Sequence, residues 1–307
     1  MLVLAGIAVF VNLYFAVRVF ELTLRSHAVV AGAEPSPEMP MLSIIVPARN
    51  EERQIEACVR SLLAQDYPHF EVIVVDDRSD DDTAGIVGRL TGSDARLRLI
   101  RGEPLPVGWV GKPWALTQGA RVATGEWVLF TDADTTHAPA ASASSIGYAL
   151  REKIDVLSLL TDQTTVTLAE RAVLPSILLA IAFAIGPIDD VNDPRKENAI
   201  LNGQYILVRR TAYDALGGHA AVRGEIAEDY EFARLVKRDG RFRSVFAGSA
   251  GLVRTRMYRT FGELWEGFVK NFALGVRGRP AHAALGLTFF ALLSPGSELV
   301  ALACAPP

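Results

Sequence analysis

The sequence contains few of the residues that build disulfides and zinc sites. Its 307 residues include two cysteines, Cys58 and Cys304, and five histidines that are scattered along the chain. Two distant cysteines give neither a disulfide framework nor a zinc-ligand spacing. No two histidines have the His-x-x-x-His spacing that places two ligands on one face of a helix. We therefore expect a reducing compartment and no zinc site.

An excess of positive charge is also missing. The chain has 31 lysines and arginines against 35 aspartates and glutamates, and its net charge is −4. A general nucleic-acid binder neutralises phosphates with a basic surface, so this balance argues against nucleic acid as a partner. No Gly-x-Gly-x-x-Gly segment follows the first apolar run, and no Walker A sequence occurs. Any nucleotide must therefore be held without those two loops.

The sequence does contain a regular alternation of apolar runs and helical patterns. Strands are predicted at Leu42–Pro47, Glu71–Val75, Arg96–Ile100, Trp127–Thr131 and Asn202–Val208. Helices are predicted at Glu52–Ala64, Asp81–Leu90 and Pro113–Ala123. Strands that are nearly continuous in Val, Ile and Leu and alternate with helices are typical of an α/β fold. We expect a mainly parallel sheet covered by helices on both faces.

Two carboxylates directly follow the fourth of these strands, in the segment Asp132-Ala-Asp134. Ligands of parallel α/β sheets bind at the carboxyl ends of the strands. Carboxylates two residues apart can face one cleft once the chain turns, and such oxygen ligands suit Mg²⁺ or Mn²⁺. The alternative is that Asp132 ends the strand and Asp134 caps a following helix. These residues alone leave both interpretations open.

A lysine stands at the predicted start of a helix, in Gly111-Lys112-Pro113. Pro113 fits the first helical position, so Lys112 lies at the positive end of the helix dipole, where a cation is disfavoured. A bound phosphate would resolve this conflict, since helix N-termini and lysines both attract anions. An exposed lysine that tolerates a small penalty is the alternative.

A pair of acidic residues, Glu228 and Asp229, opens another predicted helix, whose apolar residues Phe232, Leu235 and Val236 face inward. Acidic side chains in the first turn are stabilised by the helix dipole, so a purely structural role is equally open for this pair.

Together these motifs resemble one enzyme family. The ordered set is Ile45-Val-Pro-Ala-Arg-Asn-Glu51, Val75-Asp-Asp-Arg-Ser-Asp80, Gly111-Lys112, Asp132-Ala-Asp134 and Glu228-Asp229. Over residues 42–276 the chain resembles an inverting family 2 glycosyltransferase with the GT-A nucleotide-diphospho-sugar transferase fold. Within that family it is most similar to membrane-attached enzymes that glycosylate lipids, such as ceramide glucosyltransferases and bacterial enzymes of hopanoid or carotenoid glycoside pathways.

The resemblance implies a role for each motif residue. Those implied to hold the nucleotide are Ala48, Glu51, Asp77, Lys112 and Asp132. Asp134, with Asp132, would bind Mg²⁺ or Mn²⁺. Asp229 would be the general base, with Glu228 beside it in the catalytic pair. This division suits the chemistry, because the metal stabilises the departing nucleoside diphosphate while a separate carboxylate takes the acceptor's proton.

One departure from the family narrows the activity. Many members carry Gln-x-x-Arg-Trp after the base, whereas the aligned stretch here is Val253-Arg-Thr-Arg256-Met257, which retains only the arginine. We therefore expect transfer of a single sugar rather than processive synthesis of a polymer.

Apolar stretches at both ends predict membrane attachment. Residues 2–17 carry no charge, and Arg18 and Arg25 follow them. This order favours an uncleaved anchor at residues 1–25, with the downstream chain in the cytoplasm, over a cleaved signal peptide. The catalytic domain is expected at residues 42–255 and a C-terminal membrane segment at residues 283–303.

Five aromatic residues recur at helical spacing between these segments, namely Tyr258, Phe261, Trp265, Phe268 and Phe272. With basic residues nearby, they favour an amphipathic interfacial helix at residues 256–279. Packing against the catalytic domain is the alternative.

The expected activity is inverting, metal-dependent transfer of one sugar from a nucleotide diphosphate, with UDP-sugar as the expected donor, to a lipid hydroxyl. The acceptor is expected to be a hopanoid, carotenoid, sphingolipid or similar lipid on the cytoplasmic side of the cell's inner membrane. Two alternatives remain: a polyprenyl-phosphate sugar synthase, whose phosphate acceptor needs no base, and a non-catalytic membrane-tethered protein that binds nucleotide sugars. A sugar-nucleotide pyrophosphorylase would need a glycine-rich loop after the first strand, where Pro47-Ala-Arg-Asn-Glu51 stands.

Overall fold

The computed structural model describes residues 38–167 and 186–258, with Val29, Ser36, Glu170, Arg171, Leu174, Leu178, Thr260, Gly262 and Glu263. Residues 27–163 and 190–255 form one compact unit, and residues 164–189 and those from 256 onward belong to a second. The predicted anchor at 1–25, most of the interfacial helix at 256–279 and the segment at 283–303 lie outside the described residues. No helix within the described residues combines the length and apolar character needed to cross a membrane.

A seven-stranded sheet forms the centre of the first unit. Its strands are β1 (Leu42–Ala48), β2 (Phe70–Asp76), β3 (Leu97–Arg101), β4 (Trp127–Phe130), β6 (Val156–Leu160), β8 (Ile206–Arg209) and β9 (Ser244–Gly248). They lie in the order β3-β2-β1-β4-β8-β6-β9. The first four are mutually parallel, β6 and β9 are parallel to each other, and β8 runs antiparallel to both of its neighbours. The predicted mainly parallel sheet is confirmed.

Helices cover both faces of this sheet, as the apolar strands predict. The described helices are α1 (Ile55–Leu63), α2 (Thr83–Thr91), α3 (Gly111–Val122), α4 (Ala141–Arg151), α5 (Ile188–Asn192), α6 (Arg210–Ala215) and α7 (Glu228–Asp239), of which all but α5 contribute to the core on one face or the other. Alternate residues of each strand point to opposite faces. Ile44 and Val46 of β1 therefore pack in the cluster that includes α1, α2 and α4, whereas Ile45 packs in the cluster that includes α3, α6 and α7.

A three-stranded sheet, ordered β5-β10-β7, lies beyond the end of β4. Its strands are β5 (Thr135–His137), β7 (Asp162–Gln163) and β10 (Val253–Thr255). Because a strand follows the Asp132-Ala-Asp134 segment, the interpretation of Asp134 as a helix cap was wrong. β10 instead brings Thr255 next to Asp134, whose backbone carbonyl accepts a hydrogen bond from Thr255 Oγ1 at 3.4 Å.

Two predicted element boundaries differ from the structure for local reasons. The predicted strand at 202–208 begins only at Ile206, because residues 202–205 form a turn in which the Tyr205 N–H donates to the Asn202 carbonyl at 2.9 Å. Helix α3 begins at Gly111, so Pro113 is its third residue and not its first. Lys112 still lies in the first turn, and Glu228 opens α7 as predicted.

Substitutions of two helical glycines can test how closely the helices pack against the sheet. Gly119 of α3 is buried against the sheet, and a methyl group there would lie 2.5 Å from Ile45 Cγ2 and 3.2 Å from Val75 Cγ2. We expect Gly119→Ala to lower the free energy of unfolding by about 1–3 kcal/mol through overpacking. Thermal or urea denaturation measures this change.

Gly88 of α2 is the matched control. It is exposed in a helix interior, and a methyl group there would reach only Leu99 Cδ2 at 4.0 Å. Gly88→Ala should therefore stabilise the protein by about 0.5–1 kcal/mol, since alanine loses less backbone entropy in a helix. Equal effects of the two substitutions would contradict the packing described for α3.

Candidate active site

The candidate site lies at the carboxyl ends of β1, β2 and β4. Ala48 ends β1 and its carbonyl accepts the Asp77 N–H at 2.8 Å, so the ends of β1 and β2 are held together. Asp132 and Asp134 directly follow β4, the other neighbour of β1. The sheet order therefore gathers residues that are more than 80 positions apart in sequence into one region.

The loops that leave β1 and β2 are hydrogen-bonded to each other. Asn50 and Arg78 adopt left-handed backbone conformations, with φ of 59° and 55°. The Asn50 N–H donates to Ser79 Oγ at 3.0 Å, and Asn50 Oδ1 accepts the Asp80 N–H at 2.8 Å. The Glu51 N–H donates to Thr83 Oγ1 at 2.7 Å. These bonds compensate for the strained backbone and fix both loops before any ligand arrives.

Asp77 is a buried carboxylate with unused hydrogen-bonding capacity. Its Oδ1 has no hydrogen-bond partner among the described residues, but Arg78 Nε lies 3.7 Å from it, and an Arg49 nitrogen lies 3.9 Å from Oδ2. Burial raises its pKa, although Arg49 and Arg78 oppose the shift. A methyl group on Gly111 would lie 2.9 Å from Asp77 Oδ2, so the glycine leaves room for this carboxylate beside the start of α3. Asp77 therefore faces the region next to Lys112.

Lys112 connects the carboxylates of the candidate site. Its Nζ lies 2.7 Å from Asp132 Oδ1 and 2.9 Å from Glu228 Oε1. Burial disfavours the charged lysine, but the carboxylates of Asp132 and Glu228 outweigh it and hold its pKa well above the ordinary value. A single ammonium group thus joins the segment after β4 to the first turn of α7. The helix dipole of α3 disfavours a cation at Lys112, and the two carboxylates compensate for this effect.

Three carboxyl groups of the candidate site hold their protons more tightly than usual. Burial raises the pKa of Asp132 to about 6, and Asp134 adds to the shift while Lys112 opposes it. Burial also raises the pKa of Asp134. The pKa of Glu51 rises to about 7, first through burial and then through repulsion by Asp134 and Asp132. One lysine does not balance this much negative charge, so the cluster favours a further cation.

Asp229 is oriented by two backbone N–H groups. Its Oδ2 accepts the Gly203 N–H at 3.0 Å, and its Oδ1 accepts the Tyr230 N–H at 2.8 Å. Burial, with repulsion from Glu228, raises its pKa to about 6 despite these bonds and Lys112. A carboxylate that is fixed in position and ionises just below neutral pH is suited to accept a proton.

The sequence interpretation missed Gly203 as part of this site. A methyl group there would lie 3.0 Å from Lys112 Nζ and 3.2 Å from Asp229 Oδ2, so only glycine fits without displacing them. The Asn202-Gly203 dipeptide is a turn signal that could have revealed it. The turn is held by Asn202, whose Nδ2 donates to the Leu159 carbonyl at 2.9 Å.

A buried polar network lies beneath the carboxylates that follow β4. Thr131 Oγ1 donates to the Gln204 carbonyl at 2.7 Å, and Gln204 Nε2 donates to Thr255 Oγ1 at 3.4 Å. His137 Nε2 lies 3.1 Å from Thr131 Oγ1, and burial lowers its pKa to about 3. His137 is therefore a neutral structural residue. These contacts fix the backbone that carries Asp134.

The same carboxylates could hold part of a metal's ligand shell. Asp134 Oδ1 is buried and has no hydrogen-bond partner within the described residues, which leaves it available to a cation. No three histidine, cysteine or acidic side chains of the described chain lie close enough to hold a metal ion by themselves. Mg²⁺ and Mn²⁺ do not require such a cage, since one or two carboxylates, substrate phosphates and waters suffice. The donor set fits such a shared site.

Comparison with known proteins identifies the family. The sequence profile described as "Glycosyl transferase family 2" matches residues 43–216. The chain belongs to glycosyl transferase family 2. The matched region spans β1 to α6 and includes Asp77, Lys112, Asp132 and Asp134, while Glu228 and Asp229 follow it. The expected family resemblance is confirmed, and residues 43–216 form a glycosyltransferase domain.

Relatives with assigned activities include 4,4'-diaponeurosporenoate glycosyltransferases of Staphylococcus aureus. The protein of strain MRSA252 is 29% identical over 241 residues, which cover 77% of this chain and 62% of the relative. The protein of strain USA300 is 28% identical over the same length and with the same coverage. This family 2 chain therefore matches less than two thirds of the length of those relatives.

Solved structures show the same fold as this family 2 chain. A mannosyltransferase from Pyrobaculum calidifontis, in complex with GDP-Man and Mn²⁺, has a TM-score of 0.60 at 20% identity, covering 100% of this chain and 87% of its own. Glucosyl-3-phosphoglycerate synthase from Mycobacterium tuberculosis, in complex with Mn²⁺, UDP and phosphoglyceric acid, has a TM-score of 0.51 at 21% identity, covering 78% of both chains. The fold is GT-A-like, as the resemblance implied.

The raised pKa of Glu51 predicts a pH-dependent effect on stability. The folded protein holds this proton more tightly than the unfolded chain, whose group titrates near 4.5. The stability that Glu51 contributes is therefore complete below pH 4.5 and is lost as the pH rises through 7. We expect Glu51→Gln to raise the Tm at pH 8 more than at pH 4.5. The gain in the free energy of unfolding should be larger at pH 8 than at pH 4.5 by about 1 kcal/mol, after solvent screening.

Glu52→Gln is the matched control for Glu51→Gln, because Glu52 is an exposed neighbour. Thermal unfolding of both variants at the two pH values makes the measurement. Equal Tm changes in the two variants at both pH values would show that Glu51 does not belong to the carboxylate cluster.

Proposed function

We propose that this chain transfers one sugar from a nucleotide diphosphate sugar to an acceptor hydroxyl, with inversion. The observation that carries the proposal is the position of Lys112, which contacts Asp132 and Glu228 at once. The carboxylates expected on the donor side and the candidate base therefore lie around one ammonium group. Direct displacement requires both groups in one cleft. Membership of glycosyl transferase family 2 supports the reaction class.

The donor's nucleotide would lie over the ends of β1 and β2. Asp77 offers a buried carboxylate oxygen without a hydrogen bond, although Arg78 Nε lies 3.7 Å from it, and this oxygen can accept an N–H of the nucleobase, with Ala48 and Glu51 nearby. The diphosphate would meet Lys112 in the first turn of α3, where the helix dipole and the ammonium both favour anions. We expect UDP-sugar as the donor. The complexes of the solved GT-A neighbours contain UDP in one case and GDP-Man in the other.

A divalent cation would be held by Asp134, with Asp132, and by the donor's phosphates. Bound there, Mg²⁺ or Mn²⁺ would neutralise charge that develops on the departing nucleoside diphosphate. Asp134 would supply a buried oxygen that has no hydrogen-bond partner among the described residues, and Asp132, which pairs with Lys112, would be the second carboxylate beside it. Both solved neighbours were obtained with Mn²⁺.

Asp229 would remove the proton from the acceptor hydroxyl. The N–H groups of Gly203 and Tyr230 hold its carboxylate in place, and Glu228 holds Lys112 beside it. A hydroxyl acceptor needs such a base, because its oxygen becomes a strong nucleophile only as the proton leaves. The pKa of about 6 keeps Asp229 largely ionised at pH 7.

We propose a lipid acceptor and a membrane-bound enzyme that works on the cytoplasmic side of the inner membrane. The relatives named for 4,4'-diaponeurosporenoate support an apolar acceptor. The proposed organisation keeps the anchor at 1–25, the catalytic domain at 42–255, the interfacial helix at 256–279 and the membrane segment at 283–303. The uncharged run before Arg18 supports the anchor and the orientation.

Replacing the candidate base separates binding from turnover. We expect Asp229→Asn to bind the donor normally but to lower kcat by about 10²–10⁴-fold, since the amide cannot accept the proton. Transfer from UDP-sugar to extracted lipid, with the product identified by mass spectrometry, measures turnover. Donor titration measures binding.

Asp239→Asn is the matched control for the base, because it makes the same change at the last residue of α7. Near-normal transfer by Asp229→Asn would show that Asp229 is not the general base. It would favour an acceptor that is already ionised, such as a polyprenyl phosphate. Absence of transfer and of donor hydrolysis by the wild type across a lipid panel would favour a non-catalytic binding protein.

Replacing the candidate metal ligand should affect the donor directly. We expect Asp134→Ala to weaken UDP binding in the presence of Mn²⁺ by at least about ten-fold, because the loss of one charged ligand is worth more than 1.4 kcal/mol. Without Mn²⁺, the variant and the wild type should bind UDP similarly. Calorimetric titration with and without Mn²⁺ tests this, with Asp239→Asn as control. An unchanged Mn²⁺ dependence would exclude Asp134 as a ligand.

A further inference from the structure

Two neighbouring segments at the mouth of the cleft carry exposed apolar side chains. Val107 is fully exposed, at 103%, and Leu105 of the same loop is 41% exposed. Ile226, on the segment that leads into α7, is 49% exposed, and Tyr230, the third residue of that helix, is 42% exposed. We call these four residues the apolar rim. Single exposed apolar residues are common on protein surfaces, but a cluster on adjoining segments indicates a binding surface.

The two segments of the apolar rim are joined to each other. The Val110 N–H donates to the Arg223 carbonyl at 2.8 Å, and a methyl group on Gly224 would lie 3.6 Å from the Gly108 carbonyl oxygen. The loop before α3 and the loop before α7 therefore run side by side. This places their apolar residues on neighbouring parts of the protein surface.

The tip of the first loop is ordered, so the exposure of Val107 is not a result of a loose chain. The Trp109 N–H donates to the Pro106 carbonyl at 3.2 Å, and Gly108 has a φ of +81°, which together form a type II turn. Trp114 Nε1 also bonds the Glu103 carbonyl at 3.2 Å, which ties the loop to α3. The protein thus holds the apolar side chain of Val107 in water at a fixed position. Packing in the core does not explain why this residue is apolar, whereas binding of an apolar ligand does.

The apolar rim leads directly into the catalytic groups. The first loop enters α3, whose first turn carries Lys112, and the second enters α7, whose first turn carries Glu228 and Asp229. The ion pair between Lys112 and Glu228, at 2.9 Å, joins the two helix starts below the rim. Tyr230 is the residue after the candidate base and donates its N–H to it at 2.8 Å. A molecule lying on the rim would therefore have one end at Asp229.

We propose that the apolar rim binds the hydrocarbon body of the acceptor, and so determines that an apolar alcohol rather than a polar one reaches Asp229. This inference rests on the proposed function, because it assigns the acceptor's chemistry at that same site. Arg223, between the two halves of the rim, is exposed and forms no ion pair with the described residues. The aliphatic stem of an arginine can pack along an apolar chain while its guanidinium stays in water, so Arg223 is compatible with an apolar body lying on the rim.

Photolabelling of the full chain in phosphatidylcholine nanodiscs tests this assignment. The probe is a twelve-carbon primary alcohol with a diazirine at its far end, and mass spectrometry locates the label. We expect saturable labelling of the peptides that contain Val107 and Ile226, competed by 1-dodecanol and not by 1-butanol. In the double variant Val107→Ser, Ile226→Ser, the half-saturating concentration should rise by about ten-fold or more, since each side chain loses one apolar contact.

Leu150→Ser is the matched control, because Leu150 is 42% exposed on α4 and lies outside the rim. It should leave labelling of the rim peptides unchanged. Surface substitutions of this kind alter stability little, so all three proteins should fold. Unchanged half-saturation in the double variant, or no label on the rim peptides, would overturn the proposal.

A second probe distinguishes the acceptor from the bilayer itself. Phosphatidylcholine with a diazirine in its acyl chain should label the rim peptides weakly, and equal labelling by both probes would show that the rim contacts the bilayer and overturn the acceptor assignment. Titration of each variant with UDP and Mn²⁺ keeps the two hypotheses separate. If the donor binds normally but the rim peptides are not labelled, only the assignment of the rim is rejected. If Asp229→Asn leaves turnover unchanged and Asp134→Ala leaves UDP binding unchanged, the proposed function is rejected.

Discussion

The ion pairs of Lys112 are the constraint on which the rest of the candidate site depends. One ammonium group contacts Asp132 at 2.7 Å and Glu228 at 2.9 Å, and so fixes the start of α7 relative to the end of β4. Lys112 is only partly exposed, at 33% of its side chain, so its charge depends on these partners, and removing either side of the pairs would leave a charge without compensation. The arrangement therefore holds the proposed donor and acceptor groups in one cleft.

The surplus of negative charge around this lysine has a chemical consequence. Burial and mutual repulsion raise the pKa values of Glu51 and Asp132, and Asp134 retains an unpartnered buried oxygen. These features are costly for stability in a protein without ligands, and a divalent cation with a diphosphate would relieve them. Stability and function thus oppose each other here, as is usual where binding groups are prepared in advance.

Different loops form the two sides of the proposed cleft. Loops hydrogen-bonded through Asn50 and Ser79 form the side proposed for the nucleotide, while the loop before α3 and the start of α7 carry Val107 and Tyr230 on the other side. Each side is ordered by its own backbone bonds. The family 2 match covers the loops of the first side and the loop before α3, and it ends at residue 216, before the loop that leads into α7.

The sequence alone determined the strand and helix alternation, the mainly parallel sheet and the family, because apolar periodicity and motif order are local properties. It also placed Asp132 and Asp134 at a strand end. It did not determine that Lys112 would pair with Glu228, that Gly203 would orient Asp229, or that β5 would follow the carboxylates. Those contacts join residues far apart in the chain, and only the packing of the sheet and its helices decides which distant groups meet.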